Sequence, residues 1–160
     1  MSGVRLAFSF NDTSLRDALR RKLARLEDKA PLLKLIGEEF VSAGGIINRR
    51  FKEERGPDGK PWAPLSPRTI ASRLKRKGNS PITILRMYGH LAGSINYQVG
   101  GNTLTIGTDD EVSAYAGIHQ FGGKAGRGRK VTIKARPYLG FSDDDMNLIE
   151  EEVTAFLSGD

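Results

Sequence analysis

The stretch SINYQVGGNTLTIGT (94–108) constrains the fold of this chain more than any other. Two runs alternating apolar and polar residues, SINYQV and TLTIGT, flank Gly100-Gly101-Asn102. Period-two alternation buries one face of a strand and leaves the other in water, and a glycine–asparagine turn reverses the chain. The segment therefore predicts an antiparallel β-hairpin. A lone hairpin is marginal in water and needs other elements laid over its apolar face.

The rest of the sequence offers mainly helices for that task. Val4, Leu6, Phe8 and Phe10 alternate with Arg5, Ala7 and Ser9 and read as a first strand, broken by Asn11-Asp12-Thr13. Leu15, Ala18, Leu19, Leu23 and Leu26 then recur at helical spacing. Pro31 starts a second helix at its first turn, with a stripe of Leu32, Leu35, Ile36, Phe40, Ala43, Ile47 and Phe51. Gly44-Gly45 interrupts this pattern. Each glycine costs about 1 kcal/mol against alanine inside a helix, so a kink or a close helix contact is expected there. The stretch GPDGKPWAP (56–64) is turn chemistry, with Trp62 expected to pack back on the core.

Ser66-Pro67 caps and starts a short basic helix reaching about Lys77, closed by GNSP (78–81). Leu85, Met87 and Leu91 suggest a short apolar or helical segment, and SAYAGIHQ (113–120) a helical turn. GGKAGRGRK (122–130) reads as a flexible basic loop and VTIKA (131–135) as a third strand of this region. Ser142 or Asp143 caps a last helix, whose first-turn acids Asp143, Asp144 and Asp145 suit the helix dipole. Its buried stripe is expected to be Met146, Ile149, Val153 and Phe156. The expected class is α+β: a small antiparallel sheet with helices packed against it. One domain is expected over 1–160, with mobile basic segments near 56–81 and 122–130.

At 160 residues the chain can bury one substantial core. The absence of cysteine removes disulfides, thiolate metal sites and cysteine nucleophiles together. MSGVRLAFSF does not read as a secretory signal, and no apolar run approaches the roughly 20 residues of a membrane span, so no membrane partner is expected. The formal charge of +6 is unevenly spread. Arg49 to Arg86 holds 11 basic residues against three acids, Lys124 to Arg136 holds six and none, and Pro137 to Asp160 holds seven acids and no base. Such polarity suits a basic face meeting nucleic acid, or opposite charges meeting between copies in a homo-oligomer, besides plain solvation.

The residues that carry chemistry point away from catalysis. His90 and His119 are the two histidines, and neither has a ligand partner at metal spacing in the sequence. No G-x-S-x-G is present, and GGKAGRGRK lacks the order of a phosphate-cradling P-loop. No catalytic residue, cofactor or metal is therefore expected. Arg127, Arg129 and Lys130 in the loop, with Arg73, Lys75 and Arg76 in the basic helix, are the candidate contacts to a partner, because guanidinium groups bind carboxylate or phosphate in pairs of hydrogen bonds. The helical cations lie all around SPRTIASRLKRKG, and no known recognition motif accompanies them. A nucleic-acid-binding module using this helix and the Gly/Arg loop stands as the alternative.

Four segments in order carry a more specific signal: FKEERGPDGKPWAPLSPRTI (51–70), ILRMYGHLAGSI (84–95), IGTDDEVSAYAGIHQFGG (106–123) and KARPYLGFSDDD (134–145). Together they resemble the virion-morphogenesis, or tail-completion, family of Mu-like and P2-like tailed phages and prophages. Pro57, Gly59 and Trp62 match its P-x-G-x-x-W loop, and Leu85, Gly89 and Leu91 its next element. Tyr115, Ala116, His119, Gln120, Phe121 and Gly122 match Y-A-x-x-H-Q-F-G. Ala135, Arg136, Pro137, Tyr138, Leu139 and Gly140 match the final motif, with Lys134 where the family often has proline. The resemblance covers about residues 30–157. It implies a structural, non-enzymatic protein of the virion, assembled in the host bacterial cytoplasm. That protein would finish tails or join them to heads, related in fold to neck and tail-terminator proteins. It implies contacts with other neck or tail proteins, a ring oligomer, and a possible non-specific contact with packaged DNA. Trp62, Tyr115, His119, Gln120, Phe121, Gly122, Arg136, Pro137 and Tyr138 are then expected to define the fold. Tyr115, Ile118 and Phe121 would pack under the sheet, and His119-Gln120 would fix the backbone by hydrogen bonds.

Overall fold

A computed structural model describes residues 13–77, 82–129 and 131–159. The alternating run at 4–10, the turn GNSP (78–81) and Lys130 lie outside the described residues. In chain order come α1 (Thr13–Glu27), α2 (Ala30–Val41), α3 (Ile46–Glu53), α4 (Pro67–Lys77) and the single turn α5 (His90–Gly93). The strands β1 (Ile95–Gly100) and β2 (Thr103–Thr108), α6 (Asp110–Phe121), the strands β3 (Gly123–Ala125) and β4 (Val131–Ile133), and α7 (Asp143–Ser158) follow.

The hairpin forms as its alternation dictates. Ile95 faces Thr108, Tyr97 faces Ile106 and Val99 faces Leu104 in one antiparallel register. The turn is Gly101-Asn102, one residue shorter than the glycine run suggested, with Gly101 at φ 56. Glycine with positive φ at the first central position is the pattern of a type II′ turn, whose twist matches the strands. The apolar face lies on α2, which approaches closely because position 37 is glycine. A Cβ there would stand 2.5 Å from the Tyr97 ring. Tyr97 continues past it to donate to Glu38 Oε1 at 2.8 Å.

The long helical pattern from Pro31 divides in two at Gly44-Gly45. Asn48 donates to the carbonyl oxygens of Val41 and Ser42, tying α3 to the end of α2. The two glycines play different parts. A Cβ on Gly45 would stand 2.6 Å from the Glu39 carbonyl oxygen, whereas one on Gly44 would meet nothing. The break swings Ile46, Ile47 and Phe51 against Ile36 and Phe40, and these join Trp62, Ile84, Leu91, Ile95, Ala116 and Tyr138 in one core. Phe51 packs on Trp62 and Tyr138 with ring centroids 5.5 and 5.4 Å apart, pairings worth about 0.5–1.5 kcal/mol each beyond burial.

Several expectations need correction. Leu35 and Ala43, read as core, are exposed, because neither faces α3 or the hairpin. Met146 is likewise 45% exposed, and α7 instead lays Leu148 and Ile149 against the core. SAYAGIHQ belongs to a full helix of 12 residues rather than a turn. The Gly/Arg loop contains structure: β3 pairs with β4 through Gly123–Ile133, Lys124–Thr132 and Ala125–Val131, around a 3₁₀ turn at Arg127–Arg129. VTIKA therefore makes a second two-stranded sheet instead of extending the first.

Candidate functional site

The segment Arg136–Gly140 crosses the core as an extended strap outside both sheets. Buried backbone N–H and C=O groups must find partners, and a strap outside a sheet must find them one by one. Side chains from three elements supply them. Trp62 Nε1 donates to Pro137 O at 2.7 Å. Gln120, on α6, accepts at Oε1 from the N–H groups of Tyr138 and Leu139, both at 3.0 Å, and donates through Nε2 to Leu139 O at 2.9 Å. Arg50, on α3, donates to Tyr138 O at 3.2 Å and Gly140 O at 2.9 Å. Arg136 N–H donates to His119 O at 2.7 Å.

The strap holds its neighbours in return. Arg136 donates from Nε and Nη2 to the carbonyls of Ala63 and Pro64, tying down the loop that carries Trp62. Within that loop Gly56 N–H reaches Lys60 O, and Trp62 N–H reaches Glu54 O at 2.8 Å. Tyr138, 1% exposed, donates its hydroxyl to Ala116 O on α6. Burial, reinforced by Tyr115, pushes the Tyr138 phenol up to about 12, so it stays a neutral donor.

Arg50 also forms a buried ion pair with Asp145 on α7. Asp145 is at once part of a capping box: its side chain accepts from Ser142 N–H while Ser142 Oγ accepts from Asp145 N–H. One carboxylate thus caps α7, neutralises Arg50 and fixes the end of the strap. In the sequence Asp145 shows only as a first-turn acid suited to the helix dipole, and nothing marks Arg50 as its partner. The available signal was a charged residue on the apolar face of α3, three positions from Ile47 and next to Phe51.

His119 departs from expectation. Its carbonyl holds the strap, but its buried Nδ1 has no hydrogen-bond partner among the described residues. Burial, then the charges of Arg136 and Arg73, hold its pKa below the ordinary imidazole value, favouring the neutral ring. It borders a cleft of ≈ 340 Å³ with Arg73, His90, Tyr115 and Arg136 on apolar walls that include Leu65 and Leu91. No carboxylate lines that cleft among the described residues.

The other singled-out residues divide between core and surface. Gly122 caps α6 at φ 76, and a Cβ on it would stand 3.0 Å from Ala135 N, so both conformation and space call for glycine. Phe121 is 81% exposed and Tyr115 is also exposed, contrary to the expectation that they pack under the sheet. The last turn of α6 turns Gln120 inward and Phe121 outward. Among the partner-contact candidates, Arg73 faces inward and donates to Thr83 O at 2.5 Å. Lys75, Arg76 and Arg127 are exposed. Arg129 lies in the 3₁₀ turn, and Lys130 is outside the described residues. No helix among the described residues is long and apolar enough to cross a membrane.

Comparison with known proteins gives this arrangement its context. The chain is 32% identical over 143 residues to the Mu-like prophage FluMu G protein 2 of Haemophilus influenzae, covering 89% of this chain and 88% of that protein. It is 32% identical over 119 residues to tail completion protein S of Escherichia phage P2, covering 68% and 73%. FluMu G protein 1 of H. influenzae is 26% identical over 151 residues, covering 92% of each. No solved structure matches the chain. The pattern of the phage virion morphogenesis family matches residues 10–158, a span that contains the strap, its clamp and every motif described above, and the chain belongs to that family.

Proposed function

We propose that this chain is a structural subunit of tailed-phage assembly. It acts at the tail end or head–tail junction, is required for tail completion or head joining, and works as a ring oligomer without enzymatic activity. The observation that carries the reading is where the family's motif residues go. Trp62, Gln120, Arg136, Pro137 and Tyr138 are spent on holding the strap and its loop to the core. A relative of similar length is named a tail completion protein. Residues used this way shape a rigid body for docking, and none presents a nucleophile or base to a substrate. The exposed cations Lys75, Arg76 and Arg127, together with Arg129 and Lys130, serve contacts with neighbouring tail or neck proteins, with a neighbouring copy, or with DNA passing through a ring. On this reading the protein resides in the virion and is built in the host bacterial cytoplasm.

The test is deletion of the gene from an inducible prophage that carries it, with electron microscopy of the lysate. Separated heads and unfinished tails are expected, with infectious yield restored by the wild-type gene. The paired reversal R127E/R129E is expected to lower yield without changing the melting temperature of the purified protein. Normal yield from the deletion would overturn the reading. Steeply salt-dependent DNA binding by the isolated protein, joined with normal particles from the deletion, would favour the nucleic-acid module instead.

A further inference from the structure

Among the described residues, α1 carries a row of apolar side chains that stay at least half exposed. Leu19, Leu23 and Leu26 recur at spacings of four and three, forming one stripe. α1 meets α7 of its own chain through a different side, where Arg25 donates to Phe156 O at 2.9 Å and lies over the Phe156 ring. The stripe is set in positive charge: Thr13–Glu27 carries five basic residues and two acids. At 100° per residue Arg16 and Lys22, both exposed, flank the leucines on either side, and such a face suits a partner both apolar and acidic.

The same molecule carries such a surface. Phe141 is 62% and Met146 45% exposed at the start of α7. Asp143 and Glu150 lie within about 60° of Met146 around the helix, and they, with Asp144 and Glu151 farther round, are exposed and in no ion pair among the described residues. α7 holds six acids and no base. Two α1 faces placed together would set like charge against like, so self-pairing of α1 is disfavoured. Pairing α1 of one copy with α7 of another brings opposite charges and two apolar patches together.

We infer that the Leu19–Leu23–Leu26 face of α1 docks on the Phe141–Met146 end of α7 in a second copy of this chain. This rests on the oligomeric reading above and names its interface. The contact joins two different patches, so in a pair each copy keeps one of its two patches free. Such a head-to-tail contact propagates, and it makes a ring where the rotation between copies closes.

Because the chain lacks cysteine, the contact can be mapped with single introduced thiols. Full-length L23C and M146C proteins are mixed under mild oxidation, with S72C on α4 as control. A mixed L23C–M146C disulfide is expected to exceed both homodimers and every S72C product at least several-fold. Adding R16E/K22E to the L23C copy is expected to suppress it, and D143R/E150R on the M146C copy to restore it. Sedimentation of the wild-type protein runs in parallel. Oligomers without a mixed disulfide above control would overturn this contact and leave the oligomeric reading standing; neither oligomer nor disulfide would overturn both. L23C joining chiefly to itself would overturn the head-to-tail assignment. Rapid internal disulfide formation in an F8C/L23C chain would also overturn it, by showing that the chain's own beginning covers the stripe.

Discussion

Helix α1 and the strap Arg136–Gly140 are opposites. α1 has strong helical periodicity and a continuous leucine stripe, yet that stripe stands in water. The strap has no periodicity and three residues that interrupt regular structure or carry charge, yet Arg136 and Tyr138 are buried and the backbone between them is almost fully bonded. The difference teaches that periodicity fixes the conformation of a segment, while burial depends on whether another part of the chain is shaped to receive it. Among the described residues the strap has its receiver, whereas the leucine stripe of α1 is half exposed.

The comparison breaks most decisively at Arg50. R50A leaves the buried Asp145 carboxylate without its partner and two strap carbonyls without donors. A loss of about 3–5 kcal/mol is expected, read as a fall of roughly 10 °C in melting temperature. A fall of under about 2 °C would show that the strap does not depend on the clamp. Q120L comes next, at about 1–3 kcal/mol for strap groups left unpaired in the interior. Q120E keeps both acceptances at Oε1 but sets a carboxylate oxygen against Leu139 O in place of the Nε2 donor. It is expected to lose at least as much at neutral pH and to recover part of the loss once the carboxyl is protonated. No recovery in acid would show that packing rather than hydrogen bonding holds the strap.

The glycine pair gives a contrast of sign. G45A forces a methyl against the Glu39 carbonyl and is expected to cost about 1–3 kcal/mol. G44A meets nothing and is expected to be neutral or to stabilise by up to about 1 kcal/mol, by restricting the unfolded chain. Chemical denaturation of both variants checks this, and two losses of equal size would contradict the geometry.

A smaller effect follows from His119. Its folded pKa lies below the ordinary value, so as pH falls through about 6.5 the unfolded chain takes up a proton before the folded one. Stability contributed by the neutral ring is complete above that pH and declines as pH falls towards the folded pKa. The denaturation midpoint is expected to drop between pH 7.5 and 5.5, and the part of the slope due to this ring to vanish in H119L. An unchanged slope in H119L would remove the histidine from the account. Least of all, L23S on the uncovered face of α1 is expected to leave stability within about 0.5 kcal/mol of wild type. A large loss would mean that this leucine is buried after all.

Much of the local structure was legible, because its causes are local. Ser66 caps α4, with Thr69 N–H donating to its hydroxyl, as the Ser-Pro pair implied. Ser142 caps α7 for the same reason. Trp62 packs on the core because the turn residues around it leave its ring the one large apolar group to bury. What stayed hidden was long-range. Arg50 and Asp145 are 95 residues apart, and Trp62 and Pro137 are 75 apart; no window of sequence contains both members. Phe121 and Met146 were misplaced because an apolar residue at a plausible spacing does not say which neighbours will cover it.

The sequence by itself determined where the chain bends, where helices start and where the hairpin turns, since these follow from backbone freedom, capping and side-chain alternation among near neighbours. Its motifs also determined the family. Tertiary structure alone decided which polar groups are spent inside and which apolar faces are left for a partner. The burial of each group depends on segments distant in the chain arriving at it, and hydrogen bonds and packing are settled only there.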